Sequence, residues 1–128
     1  MNPIKGTVNS VELIGWLRDE PEERFATNGM AIASFSVATK RRTIQQEDGT
    51  WMYETEWTDV EAHDKLAETV TMNLKKGSRV RVSGSLLTNT WQDRNGLKHK
   101  TTVVRVEDVM FLDIKMSMDD AVMAEASD

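Results

Sequence analysis

Three tryptophans, Trp51, Trp57 and Trp91, stand among basic residues in this sequence. The basic residues nearest to them are Lys40, Arg41, Arg42, Lys65, Lys75, Lys76, Arg79 and Arg81. Indole rings are flat surfaces on which unpaired bases stack, and each stacked base contributes ~1–3 kcal/mol whatever its identity. Lysines and arginines neutralise phosphates and release counterions, so such binding weakens steeply as salt increases. The combination is typical of a protein that holds a single-stranded polyanion.

The stretch from Tyr53 to His63 predicts how one of these rings is displayed. From Trp57 onward the residues alternate with period two, as expected of a strand with one face in a core. The residues predicted to face the core are Thr58, Val60 and Ala62. The residues predicted to face outward are Trp57, Asp59, Glu61 and His63. A large aromatic on an outward face indicates either a binding surface or another element that covers it.

Catalytic and metal-binding chemistry finds little support in the sequence. The only histidines, His63 and His99, do not belong to a cluster with metal-ligand spacing, and there is no cysteine. No glycine-rich phosphate loop is present, and the carboxylates are scattered rather than paired. We therefore predict no enzymatic activity, no catalytic residue, no metal site and no cofactor.

Length and composition indicate one domain without a membrane anchor. A chain of 128 residues can bury a substantial core, and 39% hydrophobic with 29% charged residues is an ordinary balance. The first residues lack the basic-then-apolar pattern of a signal peptide, and no apolar run approaches the length of a membrane span. The predicted compartment is the cytoplasm.

The acidic charge is concentrated at the C-terminal end. Residues 113–128 contain five carboxylates and one lysine, a net charge of −4, which leaves −1 for residues 1–112 of the total of −5. A nearly neutral body can still carry a basic face. We predict a binding domain over residues 1–112 and a short, flexible acidic tail over residues 113–128.

The order of predicted elements is three strands, one helix and two strands. The strands are Val8–Trp16, Met30–Thr39 with Phe35 in the core, Tyr53–His63, Arg79–Asn89 and Thr101–Leu112; the helix is Lys65–Leu74, capped by Asp64. Arg18–Glu23 contains Pro21 and is predicted to be a loop, and Gly84 marks a bend in the fourth strand. The segment from Lys40 to Trp51 predicts a long hairpin arm. This order predicts an all-β fold, a five-stranded Greek-key OB-fold barrel with one short helix between strands 3 and 4.

Many short runs in this chain resemble one family over about residues 8–112. They are Ile14-Gly15-Trp16-Leu17, Pro21-Glu22-Glu23-Arg24-Phe25, the stretch from Asn28 to Thr39, Glu54-Thr55-Glu56-Trp57, Lys65-Leu66-Ala67-Glu68, Leu74-Lys75-Lys76-Gly77-Ser78, Val82-Ser83-Gly84-Ser85-Leu86 and Trp91-Gln92-Asp93. The family is the bacterial single-stranded DNA-binding protein. The resemblance implies an OB-fold, a homo-oligomer (a tetramer, with a dimer as the alternative) and sequence-tolerant binding of single-stranded DNA.

The resemblance also implies which residues contact DNA. Trp57 and Trp91 fall where the family stacks bases. Basic positions near the family's DNA path are matched by Arg24, Lys65, Lys75 and Lys76, and the basic start of its hairpin arm is matched by Lys40, Arg41 and Arg42. We include Trp51, His63 and Arg81 in the predicted site for single-stranded DNA.

Several positions depart from the family. Thr43 replaces an aromatic after the basic start of the arm, His63 replaces an aromatic on the third strand, and Leu87-Thr88-Asn89-Thr90 replaces a basic run before Trp91. Asp59 and Glu61 place carboxylates beside Trp57, where they repel phosphate unless paired, for which we predict Arg41 or Arg81. These changes predict weaker or more salt-sensitive binding, which Trp51 partly offsets. Trp16 either offsets part of the weaker binding as well or packs at a subunit contact.

The C-terminal tail departs as well, because it ends Ala124-Glu125-Ala126-Ser127-Asp128 without the family's Pro-Phe tip. We therefore do not predict that this tail recruits replication and repair proteins. The alternative is a solubilising acidic tail that competes with DNA for the basic face. We predict a protein that coats single-stranded DNA during replication, recombination and repair. The alternatives are an OB-fold accessory that acts through protein contacts, and an RNA-binding OB protein, since stacking does not read the sugar.

Overall fold

Residues 4–112 are described by the computed structural model, and they form six strands and one helix. The elements are β1 (Val11–Leu17), β2 (Glu22–Phe25), β3 (Ala31–Gln45), β4 (Trp51–His63), α1 (Lys65–Asn73), β5 (Arg79–Gln92) and β6 (Lys98–Phe111). The predicted acidic tail over residues 113–128 lies outside the described residues. No helix in the described part of the chain is long and apolar enough to cross a membrane.

Five of the strands close into a barrel. The hydrogen-bonded order is β1, β5, β6, β4 and β3, and β1 returns to β3 where Leu17 faces Val37. The pairing of β4 with β6 is parallel, with Val60 beside Val104, and the other pairs are antiparallel. Helix α1 lies between the third and fourth barrel strands, β4 and β5. The predicted five-stranded OB-fold barrel is therefore confirmed.

The short strand β2 lies outside this ring and corrects one prediction. The loop predicted for Arg18–Glu23 ends at Pro21, because Glu22 and Glu23 pair with Ser34 and Ala33 of β3. Strand β1 meets β3 only at Val37 and Ala38, so the backbone of β3 from Ala31 to Ser34 has an edge without a partner. β2 supplies that partner, which satisfies the exposed N–H and C=O groups.

Alternating residues of the strands fill the barrel with branched side chains. Val37, Val60, Val80, Val82 and Val104 are buried almost completely, and Phe35 is buried as predicted. One face of α1 packs on this cluster through Ala67 and Val70, and Leu74 follows it. Each fully buried side chain of this size contributes about 1.5–3 kcal/mol of transfer free energy. The barrel is therefore a packed core, and binding has to take place on its outside.

The start of α1 differs from the prediction. Asp64 precedes the helix with a φ of 58° and makes no side-chain cap, and its N–H donates instead to the carbonyl of Ala31 at 2.8 Å. The predicted side-chain cap is wrong because the chain turns sharply from β4 into α1. That corner holds Asp64 in a left-handed conformation, which a capping residue does not adopt.

Two glycines permit close backbone contacts in the barrel. A Cβ on Gly84 would overlap the carbonyl oxygen of Arg105, and the β5–β6 register shifts between Ser83 and Gly84, where the bend was predicted. A Cβ on Gly15 would overlap the carbonyl oxygen of Ala38, at the β1–β3 contact that closes the barrel. Both strands therefore depend on the missing side chain.

Replacement of Gly84 by alanine is expected to destabilise the barrel. The added methyl group meets backbone rather than a movable side chain, so β5 or β6 must shift, which costs about 1–3 kcal/mol. Urea denaturation of Gly84→Ala measures this change in the free energy of unfolding. Ser85→Ala is the matched control and should change it by less than about 0.5 kcal/mol; equal effects of the two variants would contradict the contact with Arg105.

Candidate nucleic-acid interface

One face of β4 points out of the barrel along its whole length. The residues on this β4 outer face are Trp51, Tyr53, Thr55, Trp57, Asp59, Glu61 and His63. Twelve residue steps of a strand span about 40 Å. Trp57 lies in the middle and is 50% exposed, so half of its surface remains open to solvent. This face provides a long surface with an aromatic side chain at both ends and at the centre.

The N-terminal half of the β4 outer face, from Trp51 to Thr55, lies on the hairpin arm and combines aromatic rings with cations. Lys40 and Arg42 pair across the strands with Thr55 and Tyr53, so both cations share this face. The guanidinium carbon of Arg42 lies 5.3 Å from the centroid of the Trp51 ring. This is a cation–π contact, in which the arginine keeps its charge for phosphate while it orients the indole.

Arg41 lies on the opposite face of the arm. Its guanidinium bonds the carboxylates of Glu54 at 3.1 Å and Glu56 at 2.8 Å. The basic triplet Lys40–Arg42 therefore does not act as one patch, since only its first and third members share the face of Trp57. The charge of Arg41 is balanced by two carboxylates on the far side.

The surroundings of Trp57 contain a second tryptophan. Trp16 pairs with Ala38, and Ala38 pairs with Trp57, so the two indoles stand in one row across three strands with a small side chain between them. The guanidinium carbon of Arg18 lies 5.3 Å from the Trp57 ring, and that of Arg79 lies 5.8 Å from the Trp16 ring. Trp16 is thus a neighbour of the candidate site, which leaves both of its predicted roles open.

The C-terminal half of the β4 outer face, with Glu61 and His63, forms one side of a groove of about 550 Å³. Its lining includes Arg24 of β2, His63 of β4, and Asn89 and Trp91 of β5. Arg24 pairs with Ile32, which pairs with His63, and this register brings the arginine to the same face. Trp91 is 51% exposed at the other wall. The groove therefore gathers three of the predicted DNA contacts from three strands.

Glu61 lies at the bottom of this groove, which we call the β4–β5 groove, and is the one buried charged residue in the described chain. One carboxylate oxygen accepts a hydrogen bond from Nε2 of His63 at 3.0 Å, and the other accepts from Nδ2 of Asn89 at 3.1 Å. The guanidinium of Arg24 lies 3.7 Å away. This carboxylate orients the imidazole and the guanidinium, and it offsets part of the positive charge in the groove.

The predicted partners of the two carboxylates on this face are wrong. Arg41 is engaged on the other side of the arm, and Arg81 bonds Glu12 of β1 with Nε 3.2 Å from the carboxylate. Asp59 instead accepts a hydrogen bond from Oγ of Ser36 at 2.8 Å. The prediction failed because an ion pair requires two side chains on one face, and neither arginine shares the face of Asp59 and Glu61.

A small acidic pocket separates the two halves of the β4 outer face. It measures about 310 Å³, and its lining includes the carboxylates of Asp19, Glu20, Glu22, Asp59 and Glu61. Despite this concentration of carboxylates, no group of residues within 4–112 has the arrangement of a metal site. The pocket repels phosphate, so a polyanion crossing the face must keep its backbone away from this point.

The Trp91 side chain is held by the turn between β5 and β6. Its ring stacks on the ring of His99, with centroids 4.3 Å apart and planes inclined by 19°. Nε2 of His99 lies 2.8 Å from Oδ2 of Asp93, whose other oxygen accepts the backbone N–H groups of Asn95 and Leu97. The hydrogen bond from His99, followed by the one from Leu97, lowers the pKa of Asp93.

His99 was not among the predicted site residues. The signal that identifies it is hairpin register: Trp91 and His99 pair directly across the turn, so their rings share one face. One side of the Trp91 ring is covered by the imidazole, and the Trp91 side chain also lines the β4–β5 groove.

The remaining predicted residues lie around this surface or away from it. Lys65 begins α1, two residues after His63, and Lys75 and Lys76 lie in the turn after α1, where the N–H of Lys76 donates to Glu20 at 3.3 Å. Arg81 stands beside Ile14 and Met110 on the outer side of β1, β5 and β6. The bond with Glu12 raises the pKa of Arg81. The structure does not bring Arg81 to the β4–β5 groove.

The model of the single-strand binding protein family matches residues 8–112, a range that includes all six strands and α1. The chain belongs to the single-strand binding protein family. The predicted resemblance is therefore confirmed over the span for which it was stated. This is a DNA-binding and non-catalytic family, and membership supports single-stranded DNA binding and oligomerisation in general terms.

The two arginines of the arm allow a matched comparison of charge on opposite faces. Arg42→Gln should weaken binding to oligothymidylate and reduce the slope of log affinity against log salt by about 0.7, the value for one phosphate contact on a single strand. Arg41→Gln should leave the slope unchanged, because Glu54 and Glu56 already balance that charge. Salt titrations of both variants measure the effect, and equal slopes would contradict the assignment of faces.

The stack on Trp91 predicts a role for His99 in ring orientation. His99→Ala should weaken affinity for single strands about threefold, because an aromatic pair contributes about 0.5–1.5 kcal/mol and its loss frees the indole. His99→Phe retains a ring and should recover most of that loss. Fluorescence anisotropy of a labelled oligonucleotide gives both affinities. If His99→Phe binds as weakly as His99→Ala, the imidazole acts through its bond with Asp93 and not through the stack.

Proposed function

We propose that this protein binds and coats single-stranded DNA without a strict sequence requirement, by stacking bases on aromatic rings and contacting phosphates with lysine and arginine. The observation that carries the proposal is the β4 outer face. Trp51 and Trp57 are spaced along it, each with an arginine beside its ring, and Trp91, stacked on His99, lines the β4–β5 groove together with Arg24.

The proposed strand path begins on the arm at Trp51, with Arg42 beside the ring, and continues to Trp57, where Arg18 is adjacent. It enters the β4–β5 groove between His63 and Trp91. Additional phosphate contacts come from Lys40, Arg24, Lys65, Lys75 and Lys76. Rings without hydrogen-bonding groups at their faces accept any base, which is why such a path tolerates sequence.

The acidic pocket supports the proposal of weak or salt-sensitive binding. A strand that passes from Trp57 to His63 crosses Asp59 and the neighbouring carboxylates of Asp19 and Glu22. Their repulsion offsets part of the attraction from the cations, so the net attraction is small and is readily reduced by salt, which at 0.1 M screens exposed charges that lie more than about 10 Å apart. At moderate salt the affinity should therefore come mainly from stacking.

The wider role follows from family membership and remains part of the proposal. We place the protein with DNA in the cytoplasm, as a homo-oligomer (a tetramer in preference to a dimer) that protects single strands during replication, recombination and repair, without catalysis and without a cofactor. Recruitment of replication and repair proteins through residues 113–128 is not included. The second candidate is an OB-fold accessory that works through protein contacts, which the acidic pocket beside Trp57 favours.

The stacking residues decide between the two candidates. Trp57→Ala and Trp91→Ala should each weaken affinity for oligothymidylate by roughly 5- to 150-fold, the loss of about 1–3 kcal/mol for one stacked base. Phe25→Ala is the control, because Phe25 is an exposed aromatic on the opposite face of β2 from Arg24. Light scattering on the same samples tests that the oligomeric mass is unchanged. Unchanged affinity in both tryptophan variants would favour the accessory role.

A further inference from the structure

Glu61 is an unusual side chain for a surface proposed to bind phosphate. The residue is 8% exposed and lines both the β4–β5 groove and the acidic pocket. The Glu61 carboxylate has three partners only 3.0–3.7 Å away, which hold it in place. The groove therefore presents a rigid negative group to whatever part of the strand enters it.

The bonds of Glu61 leave it with unused acceptor capacity. An ionised carboxylate offers about four lone-pair sites, and the hydrogen bonds from His63 and Asn89 occupy one site on each oxygen. The third partner, Arg24, lies at 3.7 Å, beyond the distance of a good hydrogen bond. A ligand in the groove thus meets an acceptor that already has its orientation fixed by the protein.

The charge distribution decides which part of a nucleotide faces this acceptor. Glu22 and Asp59 line the adjacent acidic pocket, so a phosphate next to Glu61 would meet three carboxylates. Trp91, in contrast, lines the groove together with Asn89 and Thr101. A base that stacks on Trp91 can direct its hydrogen-bonding edge to the bottom of the groove and leave its phosphate on the rim, away from these carboxylates.

We propose that Glu61 is a specificity-determining residue that accepts a hydrogen bond from the exocyclic amino group of a base held in the β4–β5 groove. The inference rests on the proposed function and adds a modest base preference to an otherwise sequence-tolerant path. Cytosine presents an amino donor to a carboxylate acceptor, which is a known pairing of side chain and base. Thymine presents a carbonyl oxygen at the same position, and this oxygen repels the carboxylate.

Glutamine at position 61 removes this discrimination, since its amide both donates and accepts. The first test compares the affinities of oligodeoxycytidylate and oligothymidylate of equal length for the protein and for Glu61→Gln. The ratio of the two affinities, cytosine over thymine, should fall about fivefold in the variant, in line with the loss of one hydrogen bond to a charged group. Circular dichroism and thermal unfolding verify that the variant folds.

Asp59→Asn is the matched control for charge. Asp59 stands on the same face two residues earlier, is exposed and bonds only Ser36 among the described contacts. Its variant removes the same negative charge and should strengthen binding to both oligonucleotides equally, without a change in their ratio. If Glu61→Gln behaves in the same way, Glu61 acts only as a repelling charge and the inference is overturned.

A second test uses the unaltered protein and is independent of the folding of any variant. An oligonucleotide whose bases are 2-pyrimidinone keeps the ring and the N3 acceptor of cytosine but lacks the amino group. The protein should bind it about fivefold more weakly than oligodeoxycytidylate; equal affinity would overturn the inference. Failure to bind any of these oligonucleotides at low salt would instead refute the proposed function itself.

Discussion

One face of β4 packs into the barrel core and the other face points outward, and the rest of the molecule depends on this alternation. Val60 and Ala62 complete the barrel core, while Trp57, Glu61 and His63 on the alternate positions face outward. Because the strand has period two, the burial of one set determines the direction of the other. A slip of one residue would place the indole and the carboxylates inside, so the hydrophobic core itself holds the binding surface in register. The core therefore does more than stabilise the fold.

The charged side chains are sorted by the same geometry. The chain has a net charge of −5, yet Lys40, Arg42 and Arg18 gather along the rings of the β4 outer face. Arg41 and Arg81 are paired with carboxylates on other faces. Exposed ion pairs contribute only about 0–1 kcal/mol to stability, so their main effect is on where positive potential is displayed. Glu61 is the exception, since it is buried and holds Arg24, His63 and Asn89 together.

The parts of this arrangement that the sequence predicted are those set by local pattern. Alternation places Trp57 outward and Phe35 inward. Gly84 marks a bend in β5 because a residue without a side chain lets the neighbouring strand approach closely. The bonds of Glu61, the strand β2 and the conformation of Asp64 depend on which strands become neighbours, and no local pattern determines that. The positions of Arg41 and His99 are intermediate, because they could be predicted from the sequence in part. Alternation along the arm and register across the β5–β6 turn contain the information, but they apply only once the hairpins are known.

The proposed function requires that single-stranded DNA lie on the β4 outer face with its bases against the tryptophan rings. The most direct measurement is the quenching of intrinsic tryptophan fluorescence during titration with poly-dT, at low and at moderate salt, with duplex DNA as the control. We predict strong quenching by the single strand alone, weaker at moderate salt. Unchanged fluorescence at low salt, or equal quenching by duplex, would contradict the account.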